Sequence, residues 1–346
     1  MIELENYTPF PHMAFEKYGV YGVLFDVVAF RGTFRLKGNG LLADLSEEQR
    51  PLVVADEYYG DPQTSSLKCE TDLVLYKKQT DIHVTGVAYS EKESRVTDWT
   101  ASISIGSFTK SLCLHGSRQW EYHHNGWQLT PPQEISQIPL RYEYALGGRW
   151  LQADGTEKIC QQNPIGHGFY PDIAQMDTSI SYPAPQIDDG QLTDLACIGA
   201  LQGLGPISRW WEPRLRFAGT YDETWRDNRF PLLPDDFDVH FYQSAHPEMR
   251  YPGYLNGRKP ILLKGLFPES HQLLTALPEY QPICVLTNGK NQNHTLAPNL
   301  DTLTFDLDER LIHATWRLTV PRSLDFREGI LGCIVPVMAK GACYGG

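Results

Sequence analysis

Apolar and polar positions alternate with a period of two along much of the chain, which predicts strands rather than amphipathic helices. Between Tyr18 and Leu36 the run GVLFDVVAFRGTFRL sets Val23, Phe25, Val27 and Ala29 on one face. Leu24, Val28, Phe30, Phe34 and Leu36 fall on the other, so both faces are apolar and the strand is expected to be buried on two sides. Ser66 to Tyr76 and Asp81 to Tyr89 predict two strands joined by KKQT, and Thr100 to Ile105 predicts one with its serines toward solvent. In RQWEYHHNGWQLT, Asn125-Gly126 has the two residues a type I′ turn favours at positive φ. Trp120 and Trp127 are then expected on the two arms of a hairpin, with His123 and His124 solvated at its tip. A strand is expected over Lys259 to Leu266, after a hairpin tip at Asn256-Gly257. Leu303, Phe305 and Leu307 lead into an Asp308-Glu309 turn, from which Ile312, Ala314, Trp316, Leu318 and Val320 return in alternation.

Between these runs the chain is punctuated by turn residues at roughly ten-residue spacing, with a helix-tolerant insert at Leu45 to Arg50. No repeat of fixed period, heptad or low-complexity tract interrupts the pattern. The fold expected is mainly β, an antiparallel β-sandwich or barrel-like pair of sheets with long irregular loops and few short helices. The regularity falls into an N-terminal β region over 1–148, an irregular linking region over 149–208 and a C-terminal β region over 209–346. The first and last regions are also compatible with one continuous domain.

One stretch has no period at all. Arg209 to Tyr242, RWWEPRLRFAGTYDETWRDNRFPLLPDDFDVHFY, holds three of the eight tryptophans and the acids Asp235, Asp236 and Asp238. Its aromatic rings carry large apolar area with polar edges, and Pro231 and Pro234 restrict the backbone. Two readings stand: a clamp whose tryptophans are core, or a surface that binds a partner through Trp210, Trp211, Arg214, Tyr221, Trp225, Asp236 and Asp238.

Composition narrows the function. The formal net charge of −12, with no lysine or arginine run, argues against nucleic acid and anionic membranes as partners. The seven cysteines are scattered without a CxxC pair, which suits reduced and mostly buried thiols better than a zinc site or a disulfide scaffold. The first residues, MIELENYTPF, lack the basic and apolar regions of a signal peptide, and the longest apolar stretch, Gly329 to Ala339, is too short to cross a bilayer. A cytoplasmic protein is expected.

Candidate chemistry is sparse. Asp236 and Asp238, with Asp222 and Glu223 upstream, offer the paired carboxylates of a glycoside hydrolase; the alternative is that they cap turns. Asp238, His240 and His246 lie close in sequence, but His240 in a strand-like run faces away from its neighbour, and no HExxH or cysteine partner supports a metal. There is no GxSxG elbow, and NPIGHGF lacks the lysine and helix of a phosphate loop. No catalytic residue, cofactor or metal is expected. Exposed tryptophan, tyrosine and arginine point by elimination to protein binding.

Taken in order, the motifs resemble those of the bacterial family called domain of unknown function 2169. The landmarks are VVAFRGTF (27–34), ADEYYGDPQTSSLKCETDLVLYKKQTDIHVTGVAY (55–89), HGSRQW (115–120) and IPLRYEYALGG (138–148). NPIGHGF (163–169), PISRWWEPRLRFAGTYDETWRDNRFPLLPDDFDVHFYQSAHPE (206–248) and DTLTFDLDERLIHATWRL (301–318) continue the series; the tail after about Leu324 carries none. The resemblance implies a non-catalytic adaptor or chaperone of type VI secretion. Its partners would be a secreted effector, a PAAR-containing protein and the valine-glycine repeat spike onto which the effector is loaded. It carries over no catalytic residues. The rivals are a hydrolytic, carbohydrate-active β protein using Asp236 and Asp238, and a structural part of the spike. If the central aromatics form the interface, Trp211→Ala should abolish partner capture with little change in melting temperature; loss of the fold would mean core.

Overall fold

The strand Leu24–Arg35 organises the molecule. In the computed structural model, which describes residues 2–192, 194–195, 199–277 and 280–334, every residue from Val27 to Phe34 is buried. Val28, Phe30 and Phe34 enter the main core, while Val27 faces a second one with Val74, Leu75, Phe237 and Tyr242. The expected two-sided burial is borne out over Val27 to Phe34, whereas Val23, expected on one of those faces, precedes the strand and is 44% exposed.

Leu24–Arg35 pairs antiparallel with His12–Tyr18 on one side and Leu311–Pro321 on the other. The sheet continues through Asn299–Asp306, Thr80–Thr85 and Arg250–Tyr251, with Asp44–Leu45 attached to Leu24–Arg35. Asn299–Asp306 and Thr80–Thr85 run parallel, and the other pairs in this sheet are antiparallel. A six-stranded sheet runs in the order Ile187–Asp188, Phe108–His115, Asp98–Ile105, Pro260–Phe267, Ser270–Ala276 and Leu41–Leu42. A four-stranded sheet runs Glu3–Asn6, Phe326–Ile334, Gln281–Asn288, Asn293–Leu296. Ile103 and Leu263 of the second sheet and Leu286 and Leu331 of the third meet Phe30, Ile82 and Phe305 of the first in one core. The fold is mainly β, packed sheet on sheet; among the described residues no sheet closes into a barrel. Strands from 1–148 and from 209–346 are mixed within both larger sheets, and Ile187–Asp188 of the intervening region completes an edge.

The Asp308-Glu309 turn joins its two strands as expected. The hairpin Gln119–His123/Gly126–Leu129 also forms, but His123 pairs with Gly126, and Gly126 alone of the Asn-Gly pair has positive φ (102°). The tip is therefore centred one residue earlier than the dipeptide indicates. Both histidines there are exposed.

Other expectations fail for tertiary reasons. Only Leu67–Cys69 of the stretch 66–76 is strand, because Glu70, Asp72 and Lys77 turn inward to a buried charge network. Leu45 to Arg50 forms no helix; the Gln49 side chain instead bonds the amide and carbonyl of Thr33. Asn256-Gly257 is a turn but not a hairpin tip, since Arg250–Tyr251 pairs with Thr80–Thr85 rather than with Pro260–Phe267. Ser102 is buried rather than solvated. Cys284 alone of the five described cysteines is buried; Cys69, Cys113, Cys160 and Cys333 are free and half-buried, and Cys197 and Cys343 lie outside the described residues.

Candidate partner-binding surface

The wrap from Arg209 to Tyr242 is fastened from inside. Pro213 suits the first turn of the short helix Glu212–Leu215, which turns Trp211 and Arg214 inward. Trp211 packs edge-on against Tyr142 at 5.4 Å. Arg214, 1% exposed, donates through Nη1 to the Ile207 carbonyl (2.8 Å) and through Nε to the Phe241 carbonyl (3.0 Å). Its Nη2 pairs with Glu70. An arginine fork that meets two carbonyls and a carboxylate is geometrically specified in a way a lysine would not be.

From Glu70 the charges continue inward. Lys77 Nζ bridges Glu70 (3.3 Å) and Asp81 (2.8 Å). Asp81 accepts from the Gln243 side chain (2.6 Å) and from the Ser244 amide (2.7 Å), and Ser244 Oγ lies 3.2 Å from His83 Nε2. Burial pushes Glu70 and Asp81 up, but Arg214 and Lys77 outweigh it at Glu70 and Lys77 and His83 at Asp81, leaving both below the usual carboxylate range. Burial pushes His83 down to about 4, so it is neutral at pH 7. Beside this network Asp72 receives Arg31 (3.0 Å), the Val53 amide and the Thr315 hydroxyl, while Arg317 pairs with Asp301 at 2.6 Å. Such pairing offsets the cost of desolvating charges.

The outer side of the same wrap is aromatic. Trp210 is 68% exposed, and Leu215 is exposed one turn on. Asp222 caps the helix Glu223–Asn228 by accepting from the Trp225 amide. That cap sets Tyr221 (53% exposed) edge-on to Trp225 at 4.7 Å, with Phe230 (68% exposed) on Trp225 at 5.8 Å. Trp225 is half-buried and donates its indole N–H to the Leu232 carbonyl. The Phe230–Pro231 peptide is cis. Arg229 bonds the Val20 carbonyl, and Leu232 lies against Gly22, so the connection between His12–Tyr18 and Leu24–Arg35 joins this surface. It adds exposed Tyr18, Tyr21 and Val23. A shallow groove of about 270 Å³ runs beside Trp225 between Asp222, Arg229 and Asp236.

The acids are engaged locally. Asp236 accepts from the Thr220 amide (2.9 Å) and hydroxyl (2.7 Å), which hold it below the usual carboxylate range. Burial is the largest single influence on Asp238 and raises it, but the amide and ring of His240 and nearby Lys78 together outweigh it and leave it below the usual carboxylate range; Asp238 also caps the 3-10 turn Val239–Tyr242. That turn replaces the strand-like run expected at His240, and His246 bonds elsewhere, to the Leu201 carbonyl.

The seven residues singled out in the sequence therefore divide. Tyr221 and Trp225 come together on the outside beside Asp236, and Trp210 is separately exposed, whereas Trp211 and Arg214 are interior. Phe230, Tyr18, Tyr21 and Val23 were not foreseen; an aromatic residue before proline, and a tyrosine-rich connection preceding a two-sided strand, are the signals that point to them. No helix of the described residues is long and apolar enough to cross a membrane.

A family model described as an uncharacterized protein conserved in bacteria, domain of unknown function 2169, matches residues 22–317, and the chain belongs to that family. No curated protein and no solved structure matches.

Proposed function

We propose that this member of the family is a non-catalytic adaptor that holds a protein partner against the outer face of the 209–242 wrap. The observation that carries the reading is the two-sidedness of that segment. Trp210, Tyr221 and Phe230 stand exposed on backbone whose inner side is fastened by Trp211 and Arg214. Rigid aromatic side chains give contact area at low entropic cost, and fixing them beforehand lowers the cost of association. The local bonding of Asp236 and Asp238 supports caps rather than an acid and base pair.

The partner class comes from the family resemblance: a type VI secretion effector or PAAR-containing protein, held inside the cell and passed to the valine-glycine repeat spike. Co-expression of the full chain with the spike, PAAR and toxin proteins of a type VI secretion system tests the proposal. Capture of one of them, lost in Tyr221→Ala/Phe230→Ala, supports it. Turnover of a substrate by the purified chain, or no affinity for any of those components, overturns it.

A further inference from the structure

Cys113, His115 and Asp188 bring a thiol, an imidazole and a carboxylate to one face of a two-strand ladder. Phe108–His115 and Ile187–Asp188 run antiparallel, with Cys113 opposite Asp188 and Leu114 opposite Ile187. His115 lies two residues beyond Cys113, hence on the same face of its strand. One ligand atom from each residue lies within 4.8 Å of the other two. His115 Nε2 and Asp188 Oδ1 are 3.1 Å apart. Two ligands bound tetrahedrally to zinc at roughly 2.0–2.2 Å stand about 3.3–3.6 Å from each other, so this pair need move apart by only a few tenths of an ångström to hold an ion between them.

We propose that these three side chains form a binding site for a zinc-class divalent cation, with water as the fourth ligand. Thiolate and imidazole together favour zinc over magnesium or calcium, which take oxygen ligands.

The surroundings fit that use. Asp188 Oδ2 is occupied by Arg118, and the Gly190 amide donates to Oδ1 at 2.7 Å, so the carboxylate is oriented by outer partners as metal-bound carboxylates are. The Gln186 carbonyl accepts the His115 amide at 2.8 Å, and the Gln186 side chain returns to the His115 carbonyl at 3.2 Å, which fixes the register beside the site. Gly190 passes over the sulfur at φ +78°, where a Cβ would lie 2.9 Å from Cys113 Sγ; the missing side chain keeps the thiol open. Asp188, Asp189 and Asp98 place negative charge around that thiol, against the single opposing cation Arg118. A nucleophilic cysteine needs the opposite field, whereas a bound cation is drawn by this one and expels the thiol proton. The bound ion would staple Ile187–Asp188, the outermost strand of the six-stranded sheet, to its neighbour. The site is independent of the partner-binding proposal.

The test uses the metal-stripped full chain. Zinc chloride is titrated against a chromophoric chelator, cobalt is substituted for its thiolate charge-transfer band, and alkylation of each cysteine is followed by peptide mass spectrometry with and without zinc. The expected result is one zinc per chain, a cobalt–thiolate band, and alkylation of Cys113 slowed at least about tenfold while Cys69, Cys160 and Cys333 react as before. Cys113→Ser and His115→Gln are expected to weaken zinc binding at least about tenfold, whereas Cys333→Ser leaves it unchanged. The labelling arm needs no variant, so it decides even where a substitution unfolds the chain. Unprotected Cys113 in the wild-type chain, or full zinc affinity in folded Cys113→Ser, overturns the site.

Discussion

Trp210 and Trp211 are adjacent in sequence and face opposite ways, the first 68% exposed and the second 5% exposed. The sequence left core and interface as rival readings of the pair, and the structure buries Trp211 in the core and leaves Trp210 exposed. Trp211→Ala removes a ring from the main core, and a large-to-small change there costs about 3–5 kcal/mol. Trp210→Ala at the surface should stay within about 0.5 kcal/mol. Urea denaturation of both variants checks this; equal stabilities would contradict the division. The test framed on Trp211 as an interface residue accordingly moves to Trp210, Tyr221 and Phe230.

Tyr221→Ala/Phe230→Ala should lower partner affinity by more than about tenfold, because two exposed aromatic anchors are lost together. Trp225 keeps its bond to the Leu232 carbonyl, so the melting temperature should move little. Pull-down and thermal melting on the same preparation separate loss of contact from loss of fold.

The Arg214–Glu70 pair should be costly to break and cheaper to replace. Arg214→Met leaves Glu70 buried beside Lys77 alone and strands two carbonyls, an expected loss of about 3–5 kcal/mol. Arg214→Met with Glu70→Gln should lose less than the two single changes summed. A double-mutant cycle by chemical denaturation measures the coupling.

Stability should fall as pH drops below about 6.5. Burial pushes His83 and His246 down to about 4 and His313 to about 3, against an ordinary value of 6.5. The unfolded chain thus binds more protons than the folded one between those values, so stability is retained above pH 6.5 and lost toward pH 4. Each histidine contributes a slope of up to about 1.4 kcal/mol per pH unit. At His246 the geometry works with burial: Nε2–H donates to the Leu201 carbonyl, and Nδ1 accepts from the Glu248 amide, so a second ring proton would have to displace that amide. Denaturant midpoints taken from pH 7.5 to 4.5 should decline over that window; a flat profile would contradict the assignment.

Much of the sheet was legible because alternation is a local signal. Leu24–Arg35, both arms of the Trp120/Trp127 hairpin and the Asp308-Glu309 turn could all be read from neighbours a few positions apart. Phe326–Ile334 was missed, since its pairing with Gln281–Asn288 and with Glu3–Asn6 leaves no mark in its own residues. The buried charges were missed for a related reason: Glu70, Lys77 and Asp81 read as polar, and only Arg214, 144 positions from Glu70, makes their burial tolerable. In 209–242 no period exists to tell inside from outside, so neighbouring tryptophans could not be sorted. Cys113, His115 and Asp188 escaped notice because 73 residues separate the histidine from its carboxylate.

Leu24–Arg35 acquires its long neighbour, Leu311–Pro321, only after residues 36–310 between them have been synthesised. A ribosome-bound nascent chain must therefore carry a hydrophobic ribbon with one vacant rim until residues 311–321 have emerged. Contacts of such sequence separation make for slow folding. Fragments ending before residue 311 should accumulate as aggregates or be degraded, and the step at which the protein most needs a cellular holdase is its own biogenesis.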